Sequence, residues 1–295
     1  WREKINEKTS TMPLQEALGM ISIIGGFQWP AGRRITGEDI KESDTDTAIY
    51  VLARQAGEGS DRKYEEGDWF LSEEEKANLS LLASSYDHTI VVVNVGGQID
   101  LSFMDEMKGI GGLVFFAQGG MEGGNALADV FSGKHSFSGK LSDTWAKNYE
   151  DIPYAMDFSY LNGNLDDEYY KEGIYVGYRY FDTYKVEPRY PFGYGLSYTE
   201  FSTSVQKIRV AETTIKAEVE VRNIGEEYSG KEVLQGYLSS PNSSVHKEYQ
   251  KLVWFAKTKE LSPGDSQVME LEINMKDHGY YNEEESAWML DEGDY

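Results

Sequence analysis

The chain has 295 residues, 40% of them apolar and 13% aromatic, enough to build the core of one large domain or two ordinary ones. Fifty-one acidic side chains against 28 basic ones give a net charge of −23, a field that repels phosphate backbones and anionic lipid and argues against nucleic-acid and membrane partners. Cysteine is absent, which excludes disulfides and thiolate metal sites.

The opening residues, WREKINEKTS, have no apolar signal core, and no apolar run reaches the roughly 18 residues that span a bilayer. A soluble protein is expected, with the cytoplasm favoured over secretion. The run GMISIIGG (Gly19–Gly26) is a candidate strand. TAIYVLAR (Thr47–Arg54) reads as a buried strand. SEEEKANLSLLASSY (Ser72–Tyr86) reads as a helix, with Ser72 as N-cap, Glu75 closing a capping box and acids in the first turn. TIVVVNVG (Thr89–Gly96) is another continuous apolar strand, LSFMDEMK (Leu101–Lys108) a short helix, IGGLVFFAQ (Ile110–Gln118) a third strand and EGGNALADVFSG (Glu122–Gly133) a third helix. Apolar strands alternating with helices predict an α/β fold, a mostly parallel sheet flanked by helices and covered on both faces.

From about Gly139 to Tyr198 the pattern lapses into a Tyr-, Pro- and Gly-rich wrapping segment. Its aromatics, as in YVGYRYFD (Tyr175–Asp182), are expected to pack between two domains, and GYGLSY (Gly193–Tyr198) to make a tight passage onward. The period then becomes two. In TIKAEVEVRNIG, Ile215, Ala217, Val219 and Val221 alternate with charged residues, which is a strand with one wet face. KEVLQGYLSS, YQKLVWFAKT and SQVMELEIN follow, split by turns such as SPGD (Ser262–Asp265), and together suggest a β-sandwich. The domain boundary is expected near Thr199, giving domains of residues 1–198 and 199–295.

His88, His135, His246 and His278 are scattered without metal-ligand spacing, and no GxGxxG, phosphate loop or GxSxG elbow occurs. No metal and no cofactor are expected. The sequons at Asn78 and Asn242 read as chance matches. One stretch stands out: QAGEGSDRKYEEGDWFLSEEE (Gln55–Glu75) crowds carboxylates and glycines directly after an apolar strand. In open α/β sheets, functional groups gather on loops past the carboxyl ends of strands. Glu58, between Gly57 and Gly59, sits where the backbone can bend sharply and expose one carboxylate. A solvated acidic turn is the alternative.

GEGSDR followed by LSEEE, then GKLSDTWAKNYEDIPY, then YKEGIYVGYRYFDTYKVEPRYPFGYGLSYTEF together resemble glycoside hydrolase family 3, the β-glucosidase and β-xylosidase family. VRNIGEEYSGKEVLQGYL and ELSPGDSQVMELEI resemble the fibronectin type III-like domain that accompanies it. The likeness covers about Thr47 to Tyr295 and is most specific from Glu172 to Phe201.

The resemblance implies an α/β sandwich domain followed by an all-β fibronectin type III-like sandwich, from a retaining hydrolase of terminal β-D-glycosidic bonds. It implies that Glu58 is the general acid/base. The family's aspartate nucleophile lies on a TIM-barrel domain, for which these residues leave no room. The missing barrel is thus an expected partner, β-linked oligosaccharides or aryl glycosides are expected substrates, and the chain alone is expected to be inactive. Asp61 and Arg62 are expected to anchor the loop. Trp69 either shapes a sugar-binding rim or lies buried beneath the loop. The competing reading is a non-catalytic carbohydrate-binding or scaffold module. Sugar specificity and oligomeric state are left open.

Overall fold

A computed structural model describes residues 32–54, 62–157, 162–241 and 245–295. The candidate strand at Gly19–Gly26 and the sequon at Asn242 lie outside them. The chain divides into two compact units, one ending at Gly123 and the other running from Gly124 to Tyr295.

Among the described residues the first unit begins with helix α1 (Gly37–Glu42), where Thr36 and Asp39 form a reciprocal capping box. Strands β1 (Thr47–Ala53), β2 (His88–Asn94) and β3 (Ile110–Phe115) form a parallel sheet in the order β1-β2-β3. Parallel neighbours need crossover connections. Helix α2 (Glu73–Ser85) supplies the first and the short helix α3 (Phe103–Glu106) lies in the second. Helix α2 begins where the sequence places it, with Ser72 accepting from Glu75 N–H and the Glu75 carboxylate accepting from Ser72 N–H.

Continuous burial of the apolar runs holds for β2, where Thr89 and Val91–Val93 are fully enclosed. It fails for β1. Ala48 and Leu52 face inward, but Ile49 and Val51 are half exposed, because β1 is an edge strand buried on one face among the described residues. Asn78 is buried on α2, accepting from Ile35 N–H at 2.8 Å and donating to the Arg33 carbonyl. The residues before α1 are thereby tied to α2, and this sequon side chain is closed to a glycan.

The second unit holds the wrapping segment and the sandwich. Helix α4 (Gly123–Phe131) leads into it. The segment 141–145 pairs with 190–194 through Leu141 N–H to Tyr194 O (2.8 Å), Gly193 N–H to Leu141 O (2.8 Å) and Trp145 N–H to Tyr190 O (2.9 Å). Gly195 is needed at this crossing, since a Cβ there would stand 2.2 Å from the Gly139 carbonyl oxygen. Helix α5 (Tyr178–Tyr184) rises from the same segment.

Strands β4 (Phe201–Ala211), β5 (Thr214–Asn223) and β8 (Ser266–Asn274) form an antiparallel sheet in the order β4-β5-β8. β6 (Val233–Leu238) and β7 (Lys251–Lys257) form a second. Val221, Leu261 and Met269 meet Leu234, Trp254 and Ala256 between the two sheets, and Leu238, Ile273 and Met275 meet Val253 and Leu271 further along. A small hairpin, β9 (Tyr280–Asn282) with β10 (Ala287–Met289), follows.

Within the second unit, the aromatics of the wrapping segment pack against the β6–β7 sheet. The Tyr178 hydroxyl accepts from Leu252 N–H at 2.7 Å, and its ring lies 5.0 Å from that of Phe192 and 5.8 Å from that of Tyr237. Ser136, Lys257 and Tyr198 add hydrogen bonds to Ser229 O, Ser138 O and Val130 O, and Lys140 bonds Gly195 O and pairs with Glu232 at 2.9 Å. The fold is therefore α/β with a parallel sheet, followed by an all-β sandwich.

Candidate active site

The carboxyl ends of β1, β2 and β3 meet at Ala53, Asn94 and Phe115, where Arg54 N–H bonds Asn94 O (3.2 Å) and Phe116 N–H bonds Val93 O (2.9 Å). The acidic loop departs from this edge. Residues 55–61 lie outside the described residues, and with them Glu58 and Asp61. The two flanks of that segment are described.

On the near flank, Arg54 directly follows β1, its side chain 5% exposed. Its Nη1 and Nη2 meet the two Glu75 oxygens at 2.7 and 3.0 Å, a two-point ion pair. Its Nε donates to Asp68 O at 2.7 Å, and Nη2 also donates to Phe70 O at 3.1 Å. One guanidinium thus joins the strand end, the returning loop and the first turn of α2. Glu75 serves twice, since it also caps Ser72 N–H.

On the far flank, Arg62 pairs with Asp68 through Nε and Oδ1 and donates from Nη2 to Asp68 O at 3.1 Å. The other Asp68 oxygen accepts from Lys63 N–H at 2.6 Å, which closes a ring over residues 62–68. Gly67 turns within it at φ +82°. Arg62 also lies beside the loop after β2, its Nη1 3.8 Å from where a Gly97 Cβ would stand. Acids elsewhere on the loop have cation partners as well, Glu65 with Lys63 at 3.7 Å and Glu66 with Lys76 at 3.1 Å. The crowded carboxylates of the described part are accordingly matched rather than merely repelling.

Trp69 is 6% exposed, with its N–H on Lys63 O (3.2 Å) and its carbonyl accepting from Asp100 N–H (2.9 Å). Of the two positions expected for its indole, burial is the one found. A side chain so enclosed offers little surface to a ligand. Arg62 is brought beside Asp68, a partner that sequence reasoning did not assign. Arg54 and the second duty of Glu75 were also missed; an arginine directly after an apolar strand, 21 residues ahead of a capping glutamate, is the available signal. Among the described residues no cluster of three or more His, Asp or Glu side chains is arranged to hold a metal, and no helix is long and apolar enough to cross a membrane.

Comparison with known proteins matches residues 33–198 to the glycosyl hydrolase family 3 C-terminal domain and residues 232–295 to the fibronectin type III-like domain. A β-glucosidase of Ruminococcus albus is 38% identical over 85% of this chain and 26% of its own length. β-Glucosidase A of Butyrivibrio fibrisolvens is 36% identical over 85% of this chain and 35% of its own. Among solved structures, β-glucosidase 3B from Thermotoga neapolitana in complex with glucose superposes with a TM-score of 0.79 at 35% identity, over 84% of this chain and 35% of that one. The β-glucosidase of Kluyveromyces marxianus in complex with glucose gives 0.77 at 29% identity, over 87% and 31%. The chain spans about a quarter to a third of the length of these relatives.

Proposed function

Because the chain belongs to the glycosyl hydrolase family 3 C-terminal domain family, we propose that it is the acid/base-bearing part of a retaining β-glucosidase acting on terminal β-D-glucosidic bonds of oligosaccharides or aryl glycosides. Glu58 is the general acid/base, and the nucleophile is an aspartate of a barrel domain outside these 295 residues. The observation that carries this reading is the double anchorage of the segment holding Glu58. Arg54 fixes one flank and the Arg62–Asp68 pair the other, at the carboxyl edge of a parallel sheet.

In the first step the barrel carboxylate attacks the anomeric carbon while protonated Glu58 gives its proton to the departing oxygen. In the second, Glu58 takes a proton from water as the water oxygen displaces the enzyme carboxylate. Retention requires the two carboxyl groups about 5–5.5 Å apart. A loop presented by one domain to another therefore has to be held firmly at its base. Asp61 and Arg62 serve that anchorage.

The test is Glu58→Gln in the complete enzyme. Hydrolysis of unactivated disaccharides should fall by about 10²–10⁴-fold, and aryl glycosides with good leaving groups should be affected far less in the first step. The glycosyl-enzyme should accumulate, and azide, which needs no deprotonation, should release it as a β-glucosyl azide. Normal disaccharide turnover by this variant, or no azide product, would refute the assignment and make Asp61 the next carboxylate to examine.

A further inference from the structure

The second unit contains a cavity of about 250 Å³ between the wrapping segment and the outward face of the β6–β7 sheet, lined chiefly by Tyr178, Asp182, Phe192, Gln235, Tyr237 and Gln250. Leu234 and Leu238 of β6 turn toward the sandwich core, so Gln235 and Tyr237, on the alternate positions, face the other way. At about 30 Å³ per water, the space holds roughly eight waters or one small ring.

The lining combines two kinds of surface. Tyr178, Phe192 and Tyr237 supply aromatic rings already fixed against one another by tilted and edge-to-face contacts. The polar groups are held in pairs. Gln250 donates to Asp182 Oδ2 at 2.8 Å, and the Tyr237 hydroxyl donates to Gln235 Oε1 at 3.0 Å. These bonds leave Asp182 Oδ1 and Gln250 Oε1 as acceptors and Gln235 Nε2 as a donor without a partner among the described residues. Gly193 keeps the Gln235 amide in place, because a Cβ there would come within 2.3 Å of it. Burial, with Tyr178 and Asp182 nearby, pushes the Tyr237 hydroxyl up to about 12, so it stays protonated and its bond to Gln235 persists at any physiological pH.

We infer that this cavity, lined by residues of the second unit alone, is a binding site for a neutral polyhydroxylated ring of monosaccharide size. No cationic side chain lines it, which disfavours anions. Rings beside acceptors alone would suit an organic cation. The Gln235 amide adds a donor that a cation cannot use, whereas a hydroxyl ring offers donors, acceptors and an apolar face at once. The inference does not depend on the assignment of Glu58.

The experiment is a titration of the ¹⁵N-labelled chain with D-glucose, choline and sulfate, followed by amide shifts. Glucose should give saturable, millimolar shifts centred on residues 178–192, 235–237 and 250–252. Asp182→Asn and Gln235→Leu should each weaken binding about tenfold or more while the spectrum stays folded. Asp182→Asn keeps the shape and the bond from Gln250 to one oxygen, and so guards against a result due to misfolding. Absence of saturable shifts, shifts centred on Arg62 and Asp68, wild-type affinity in both variants, or choline taking the cavity in place of glucose would each overturn the inference.

Discussion

Arg54 and Glu75 form a two-point ion pair whose arginine is 5% and whose glutamate is 16% exposed, and the same arginine bonds the carbonyls of Asp68 and Phe70. Removing one partner of a buried pair leaves an uncompensated charge. Arg54→Met should lower the unfolding free energy by about 3 kcal/mol, the low end of the range because Glu75 keeps some water. Arg54→Lys should recover only part, since an ammonium cannot reach four oxygens in a plane. Urea titration of the three proteins reads this directly, and a loss below about 1 kcal/mol in Arg54→Met would contradict the role.

Asn223 is fully buried at the end of β5, and all its side-chain bonding capacity is used. It accepts from the Thr199 hydroxyl (2.6 Å) and Gly225 N–H (3.0 Å) and donates to Tyr228 O and Leu261 O (both 2.9 Å). Asn223→Ala should cost about 3 kcal/mol or more, because several groups lose their partner at once. Asn223→Asp should be at least as damaging at neutral pH, since two donors become acceptors facing carbonyls. Guanidinium unfolding of both variants checks the order.

Two glycines should respond with opposite sign to alanine. Gly195→Ala drives a methyl into the Gly139 carbonyl and should destabilise by about 1–3 kcal/mol. Gly111, in β3, has open space where its Cβ would lie, so Gly111→Ala should be neutral or stabilise by about 0.4–1 kcal/mol through the unfolded chain. Melting temperatures of the pair measure the contrast.

His278 has a buried Nδ1 with no partner among the described residues, and burial, with Lys251 adding to it, lowers its pKa from the ordinary 6.5. The unfolded state then binds the proton more readily, so stability rises with pH across the window below about 6.5 and is lost as pH falls through it. Replacing His278 by Gln should flatten the stability–pH curve in that window. Urea midpoints between about pH 5 and 7 for both proteins provide the check.

These 295 residues on their own should not hydrolyse aryl β-glucosides at enzymatic rates, because the proposed acid/base works against a nucleophile on another domain. Steady-state assay of the purified chain tests this. Robust turnover abolished by changing an aspartate within the chain would place the nucleophile here instead.

Much of the fold was legible because the signals are local. Ser72 and Glu75 announce α2 through backbone N–H groups that must be capped, and the Val91–Val93 run announces a strand enclosed on both sides. β4 was not legible. A bulge between Val205 and Lys207 sets Val205, Ile208 and Val210 out of period two, so the alternation that marks β5 is broken in its neighbour. The exposure of Ile49 and Val51 was equally hidden, since an edge strand and a central one have the same apolar composition. At the candidate site, Glu58 stood out through its flanking glycines, while Arg54 did not. Its value comes from where Asp68, Phe70 and Glu75 return in space, and no periodicity encodes that return.

The strapping of residues 136–145 and 178–195 onto the sandwich has a consequence for recombination. The two family matches leave a gap between residues 198 and 232 that invites a splice, yet any cut there would strand Tyr178 without Leu252 and Lys140 without Glu232, and a cut ahead of residue 229 would also strand Ser136 without Ser229. A chimera that took its sandwich from one relative and its wrapping segment from another would have to match both halves of every one of these fastenings. Inheritance of the sandwich together with the chain from Gly124 onward is the swap that leaves each of them whole.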